Sequence, residues 1–163
     1  MRHEAQISTN ASGIRVGIVS SAYHREIVQA LESGARSVFA DSGGREEDLL
    51  VVESPGAFEL VAISAALAQR NDIDAIVALG CVIQGETTHD TWINGAVSQG
   101  LAQISITTGK PVAFGVITCD SMEQAHARSG GKKGNKGEEA MRATLAAVRI
   151  IQDVRAGSGT VSQ

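Results

Sequence analysis

Apolar positions along the chain recur with two different periods. Short runs in which they crowd together or alternate are each followed by a stretch in which they return every three or four residues, the pattern of a strand followed by a helix. Residues 14–19, with Ile14, Val16, Ile18 and Val19, predict a first strand, and Ile27, Leu31, Gly34, Ala35 and Val38 place a helix after it that ends over 41–44. A second strand is predicted over 49–53. Ser54-Pro55 reads as the next helix start, a capping serine before a proline at the first helical position, and Phe58, Val61, Ala62 and Ala65 supply that helix with an apolar face. The third strand is Ala75-Ile76-Val77-Ala78-Leu79, whose helix runs through Ile93, Ala96, Val97 and Leu101 to a stop at Gly109-Lys110-Pro111. Residues 112–118 predict a fourth strand. Ser121 and Gln124 cap a short helix that ends before Gly130-Gly131, a glycine and lysine loop spans 132–137, and Met141, Thr144, Leu145, Val148 and Ile151 form the buried stripe of the last helix.

Strand and helix thus alternate four times, which implies a four-stranded parallel sheet covered by helices on both faces. Short right-handed crossovers make a flavodoxin-like three-layer α/β/α sandwich the expected architecture. A single domain is expected over 14–155, with a polar arm at 1–13 and a small, polar tail at 156–163. With 43% apolar residues the chain can bury a core, and 14 basic against 18 acidic residues argue against nucleic acid or an anionic membrane as the main partner. There is no charged-then-apolar leader and no run of about 18 apolar residues, so a cytoplasmic protein is expected. Cys81 and Cys119 have neither metal nor redox spacing and read as buried thiols.

In a parallel sheet the segments after each strand gather at one edge, where ligands sit. Here they carry Tyr23-His24, Pro55-Gly56-Ala57-Phe58-Glu59, the run Gly80-Cys81-Val82-Ile83-Gln84-Gly85-Glu86-Thr87-Thr88-His89, and Cys119-Asp120-Ser121. Aromatic rings, a carboxylate, glycine-rich turns and a histidine suit a flat polar heterocycle beside an anion. No glycine-rich nucleotide fingerprint occurs. Thr87 and Asp90 are spaced as a capping box, which would open a helix at the threonines and leave free amides there for an anion. His89 would be the second residue of that helix, either a proton-transfer group beside the helix dipole or merely an exposed side chain on the first turn. His3 and His126 read as solvated, and His24 at the mouth of the edge is left open. Arg128, before the glycine-rich loop, either pairs with the carbonyl end of its own helix or binds phosphate through its guanidinium fork.

Four segments in order carry a family resemblance: Pro55-Gly56-Ala57-Phe58-Glu59, the Gly80 to His89 run, Phe114-Gly115-Val116 and Gly134-Asn135-Lys136-Gly137. Together they resemble the 6,7-dimethyl-8-ribityllumazine synthases of riboflavin biosynthesis. The resemblance implies a transferase that condenses 5-amino-6-(D-ribitylamino)uracil with 3,4-dihydroxy-2-butanone 4-phosphate, with no cofactor and no metal. It places Tyr23 where an aromatic ring stacks on the pyrimidine, and Ala57, Phe58, Glu59, Cys81, Val82 and Ile83 against the ribitylamino substrate. It places Glu86 and Thr87 in the phosphate turn, His89 as the proton-transfer group and Arg128 as the phosphate-binding arginine. Phe114 and Arg128 would come from a neighbouring subunit, with Lys136 and Glu139 near the shared site. Tyr23 stands where phenylalanine or tryptophan is usual, Gln84 replaces a frequent basic residue, and Glu86 adds a negative charge beside the phosphate turn. The family's assembly implies a homopentamer, and the short 130–137 loop resembles that of members forming a 60-subunit icosahedral capsid. Gln84 and Glu86 motivate one alternative, a non-catalytic homologue that binds flavin or lumazine; a mainly structural cage is the other.

Overall fold

The computed structural model describes residues 7–158. The parts of the expected arm and tail at 1–6 and 159–163 lie outside the described residues. The strands are β1 (Val16–Ser21), β2 (Leu49–Ser54), β3 (Ala75–Ile83) and β4 (Val112–Cys119), and all pair parallel in the order β2-β1-β3-β4. The helices are α1 (Arg25–Asp41), α2 (Leu60–Ala68), α3 (His89–Thr108), α4 (Met122–Arg128) and α5 (Lys136–Arg155). This is the expected three-layer α/β flavodoxin-like arrangement. Among the described residues no helix is long and apolar enough to cross a membrane.

Alternation along the strands divides the core into two layers. Val16, Ile18, Ala75, Val77, Leu79 and Cys81 point into one layer with the buried sides of α1 and α5. Val19, Ile76 and Ala78 point into the other, with Leu60 and Leu67 of α2 and Val97, Leu101 and Ile104 of α3. β3 is buried from Ala75 through Cys81 because helices cover both of its faces, so its sequence is a continuous apolar run rather than an alternating one.

Several local expectations shift. β1 begins at Val16 and continues to Ser21, since its pairing with β2 extends through Ser20–Glu53 and Ser21–Ser54. That pairing makes Ser54 the end of a strand, not a helix cap, and its hydroxyl donates to the Gly56 carbonyl at 2.8 Å. α2 therefore starts at Leu60, with Leu60, Ser64, Leu67 and Ala68 buried; Phe58 and Ala62 are exposed. α3 starts at His89, its first residue rather than its second, behind Thr88, which makes no side-chain cap. The Thr87 hydroxyl instead accepts from the His89 amide at 3.4 Å, and Asp90 closes no capping box. The Ser121 cap forms as expected, accepting from the Gln124 amide at 3.2 Å.

The loop expected over 132–137 is a small antiparallel hairpin, β5 (Ser129–Gly131) with β6 (Gly134–Asn135), running straight into α5. Asn135 fastens it. Its side-chain oxygen accepts from the amides of Gly137 at 2.8 Å and Glu138 at 3.2 Å, capping α5, while its amide group donates to the Ala30 carbonyl of α1 at 3.0 Å. Gly34 leaves the space that the Asn135 side chain fills, and at Gly137 a Cβ would overlap the backbone of Leu31. Residues 10–13 also pack on the domain: Ala11 is buried, its amide donates to Ser42, and Arg149 donates to the carbonyls of Asn10 and Ser12.

Because the Gly137 contact is with backbone that cannot rotate away, Gly137→Ala should lower stability by about 1–3 kcal/mol in urea unfolding. A midpoint equal to wild type would show that α1 and α5 do not meet this closely.

Candidate active site

The four strands point their C-terminal ends the same way, and a cavity of about 470 Å³ opens over that edge. The turn after β1 supplies Tyr23 and His24, and the turn after β2 supplies Gly56, Ala57, Phe58 and Glu59. The end of β3 supplies Cys81, Val82 and Ile83, followed by Gly85, Thr87, His89, Asp90 and Ile93 from the turn and the first helical residues of α3. The residues expected to surround the ribitylamino substrate therefore share one cavity with His89 and Thr87. Extension of β2 to Ser54 is what brings the 55–59 turn here: a helix begun at Pro55 would have taken Phe58 and Glu59 into its first turn.

Phe114, Arg128 and Lys136 lie elsewhere on the chain. They line a second concavity of about 510 Å³, with Val116, Ile117 and Thr118 of β4 and with Lys133 and Glu139. Glu86 lines neither cavity and its side chain is exposed. Arg128 donates to the Gln124 carbonyl of its own helix at 3.2 Å and forms no ion pair among the described residues; Lys136 pairs with Glu139 at 3.0 Å.

The two cavities differ in charge. The first has the carboxylates of Glu59 and Asp90 and no lysine or arginine. The second has Arg128, Lys133 and Lys136 against Glu139 alone. The first suits a neutral ligand rich in hydrogen-bond donors, and the second suits an anion. Tyr23 and Phe58 stand 68% and 59% exposed, so one chain offers ring faces and covers neither. Among the described residues no group of three or more His, Cys, Asp or Glu side chains could hold a metal ion.

Reasoning from sequence alone passed over Asp90 and Lys133 as site residues. Asp90 carried a signal of its own, a carboxylate beside His89, but the capping-box spacing absorbed it; one of its oxygens is buried without a hydrogen-bond partner. Lys133 had none beyond its place in a basic loop.

Cys81 contributes shape rather than nucleophilicity. Burial, then the neighbouring Cys119, pushes its thiol up to about 12. Since the thiolate is the reactive form, Cys81 in the folded protein at pH 8 should resist iodoacetamide, read by mass spectrometry, and react once urea unfolds the chain. The raised value also fixes a sign. The stabilising preference for the protonated thiol is complete below the ordinary thiol range and is lost as pH rises from there toward about 12. Rapid alkylation of Cys81 at pH 8 without denaturant would contradict this environment.

Comparison with known proteins agrees with the geometry. The family model for 6,7-dimethyl-8-ribityllumazine synthase matches residues 13–152. The chain is 42% identical over 145 residues to the 6,7-dimethyl-8-ribityllumazine synthase of Aquifex aeolicus, covering 89% of this chain and 94% of that protein. It is 41% identical over 144 residues to the enzyme of the same name from Thermus thermophilus, covering 88% and 92%. With nearly the whole domain matched and the expected cavity in place, the chain belongs to the 6,7-dimethyl-8-ribityllumazine synthase family.

Proposed function

We propose that the protein condenses 5-amino-6-(D-ribitylamino)uracil with 3,4-dihydroxy-2-butanone 4-phosphate to 6,7-dimethyl-8-ribityllumazine, the penultimate step of riboflavin biosynthesis. The observation that carries this reading is the convergence of Tyr23, Glu59 and His89 on one cavity in a chain of this family. The uracil ring stacks on Tyr23 and Phe58, Glu59 accepts from ribityl hydroxyls, and Ala57 with Cys81, Val82 and Ile83 shapes the floor. Amine addition to the ketone releases one water, elimination releases phosphate, and ring closure releases a second water. Each step moves a proton, and His89 at the cavity rim is the group placed to move them. Holding both reactants together supplies much of the remaining acceleration.

The phosphate is bound by Arg128, with Lys136 and Lys133 beside it, and by amides of the 85–87 turn. Phe114 borders the same place. Phe114, Arg128, Lys133 and Lys136 line a concavity separate from the one that holds His89 and the 85–87 turn, which supports a reading in which a neighbouring copy supplies them and each site is shared between subunits. The opposite charge of the two cavities supports that fit. So do Trp92 and Ile106, 75% and 76% exposed on α3, an apolar display that favours assembly. The assembly is a homopentamer in the cytoplasm, and the short hairpin at 129–135 favours closure of pentamers into a 60-subunit icosahedral capsid. Because the exposed Glu86 side chain lines neither cavity, the turn offers the phosphate its amides rather than that carboxylate.

Mixing the purified protein with both substrates should yield the fluorescent lumazine and free phosphate. His89→Ala should lower kcat about 100-fold or more. Arg128→Ala should raise KM for the butanone phosphate about tenfold or more, the loss of a charge-assisted contact. A wild type no faster than the uncatalysed mixture would sink the reading.

A further inference from the structure

The proposed condensation gives no task to Asp90, although its side chain lines the cavity beside that of His89. We propose that Asp90 is a catalytic carboxylate, set against the substrate nitrogen that becomes positive as the C–N bond forms, and that Asn94, one helical turn later, is its positioning residue. The proposal rests on the reading of this cavity as the aminouracil site.

Asp90 is the acidic residue in the first turn of α3, where the amide dipoles stabilise negative charge. Its spacing from Thr87 suits a capping box, yet the Thr87 hydroxyl accepts from the His89 amide, and Thr88 makes no side-chain cap. Helix capping therefore leaves the carboxylate free for other work. Its Oδ1 is buried without a hydrogen-bond partner, and so is Oδ1 of Asn94. Buried acceptors are normally paired, and leaving one unpaired costs stability. Residues four apart share a helix face, so a half-turn of the Asn94 amide presents its NH2 group to Asp90 Oδ1. That one bond holds the carboxylate by its buried oxygen and leaves the other for the cavity.

No cation of this cavity competes for it. The lining has the carboxylates of Glu59 and Asp90 and no lysine or arginine. Such a lining favours positive charge that arises within it. Glu59 serves the ribityl hydroxyls, which leaves Asp90, next to His89, for the reacting end. There the amine lone pair forms the C–N bond, the carbonyl π pair moves to oxygen, and the nitrogen becomes positive. Both amine protons then pass through His89 to that oxygen, which leaves as water. A carboxylate opposing charge that the bound reactants do not yet carry raises kcat rather than affinity.

Steady-state kinetics of the assembled protein with both substrates test this, comparing wild type with Asp90→Asn, Asn94→Ala and the double variant. Asp90→Asn keeps the side chain's shape and removes its charge. Its kcat should fall about tenfold or more, with KM for each substrate within about twofold of wild type, as for an interaction made only in the transition state. Asn94→Ala should lower kcat about threefold or more alone and no further in the Asp90→Asn background, because it acts through that carboxylate. Wild-type kcat in Asp90→Asn overturns the proposal, as does a loss confined to KM. Full additivity of the two substitutions overturns the positioning role of Asn94, since a merely structural residue gives that result. An active wild type beside an equally active Asp90→Asn defeats the proposal alone; a wild type that makes no lumazine defeats the condensation reading with it.

Discussion

The site depends on β3 being held in register between β1 and β4. Its residues pair from Val16–Ala75 to Ser20–Leu79 on one side and from Ile76–Val112 to Ile83–Cys119 on the other. Because side chains alternate, a slip of one residue would turn Cys81 out of its core layer and move Val82 to the opposite face. Burial of Ala75, Val77, Leu79 and Cys81 in one layer and of Ile76 and Ala78 in the other makes that slip costly. The same register sets where the chain leaves the sheet and hence where Thr87 and His89 stand relative to Tyr23 and Glu59.

A second constraint acts at the other cavity. Arg128 ends α4 and Lys136 begins α5, and the short hairpin between them is fastened to α1 through Asn135. The Gly134-Asn135-Lys136-Gly137 segment is thereby structural at Asn135 and Gly137 and polar toward the cavity at Lys136. One clasp both closes the domain and sets the spacing of the cations. The chain thus carries an acidic, aromatic cavity and a separate basic one, the two halves on which the proposed shared site would draw.

The layers were legible because they follow from burial: the apolar run of β3 and the stripe of α1 through Ile27, Leu31, Ala35 and Val38 leave little choice of partner face. What escaped was decided by pairing and turn geometry. Ser54-Pro55 has good helix-start chemistry, yet two more rungs with β1 hold Ser54 in the sheet. Thr87 and Asp90 have capping-box spacing, yet the backbone at Thr88 places the helix start one residue late. The left-handed backbone at His24 has no sequence signal beyond histidine's being among the residues enriched there, since such positions are uncommon even for it. Of the candidate residues after β1, β2 and β3, all but Glu86 share a cavity; the separation of Phe114, Arg128 and Lys136 from them was legible only through the family resemblance.

The claim that two copies build each site is tested most directly by mixing inactive partners. His89→Ala and Arg128→Ala chains, unfolded together and reassembled at equal ratio, should form a ring in which about one quarter of the interfaces join an intact first cavity to an intact second one. Turnover of about one quarter of wild type, from two preparations that are nearly inactive separately, is the predicted result. Activity no higher than the mean of the two variants would show that each chain works alone, and would contradict the shared site.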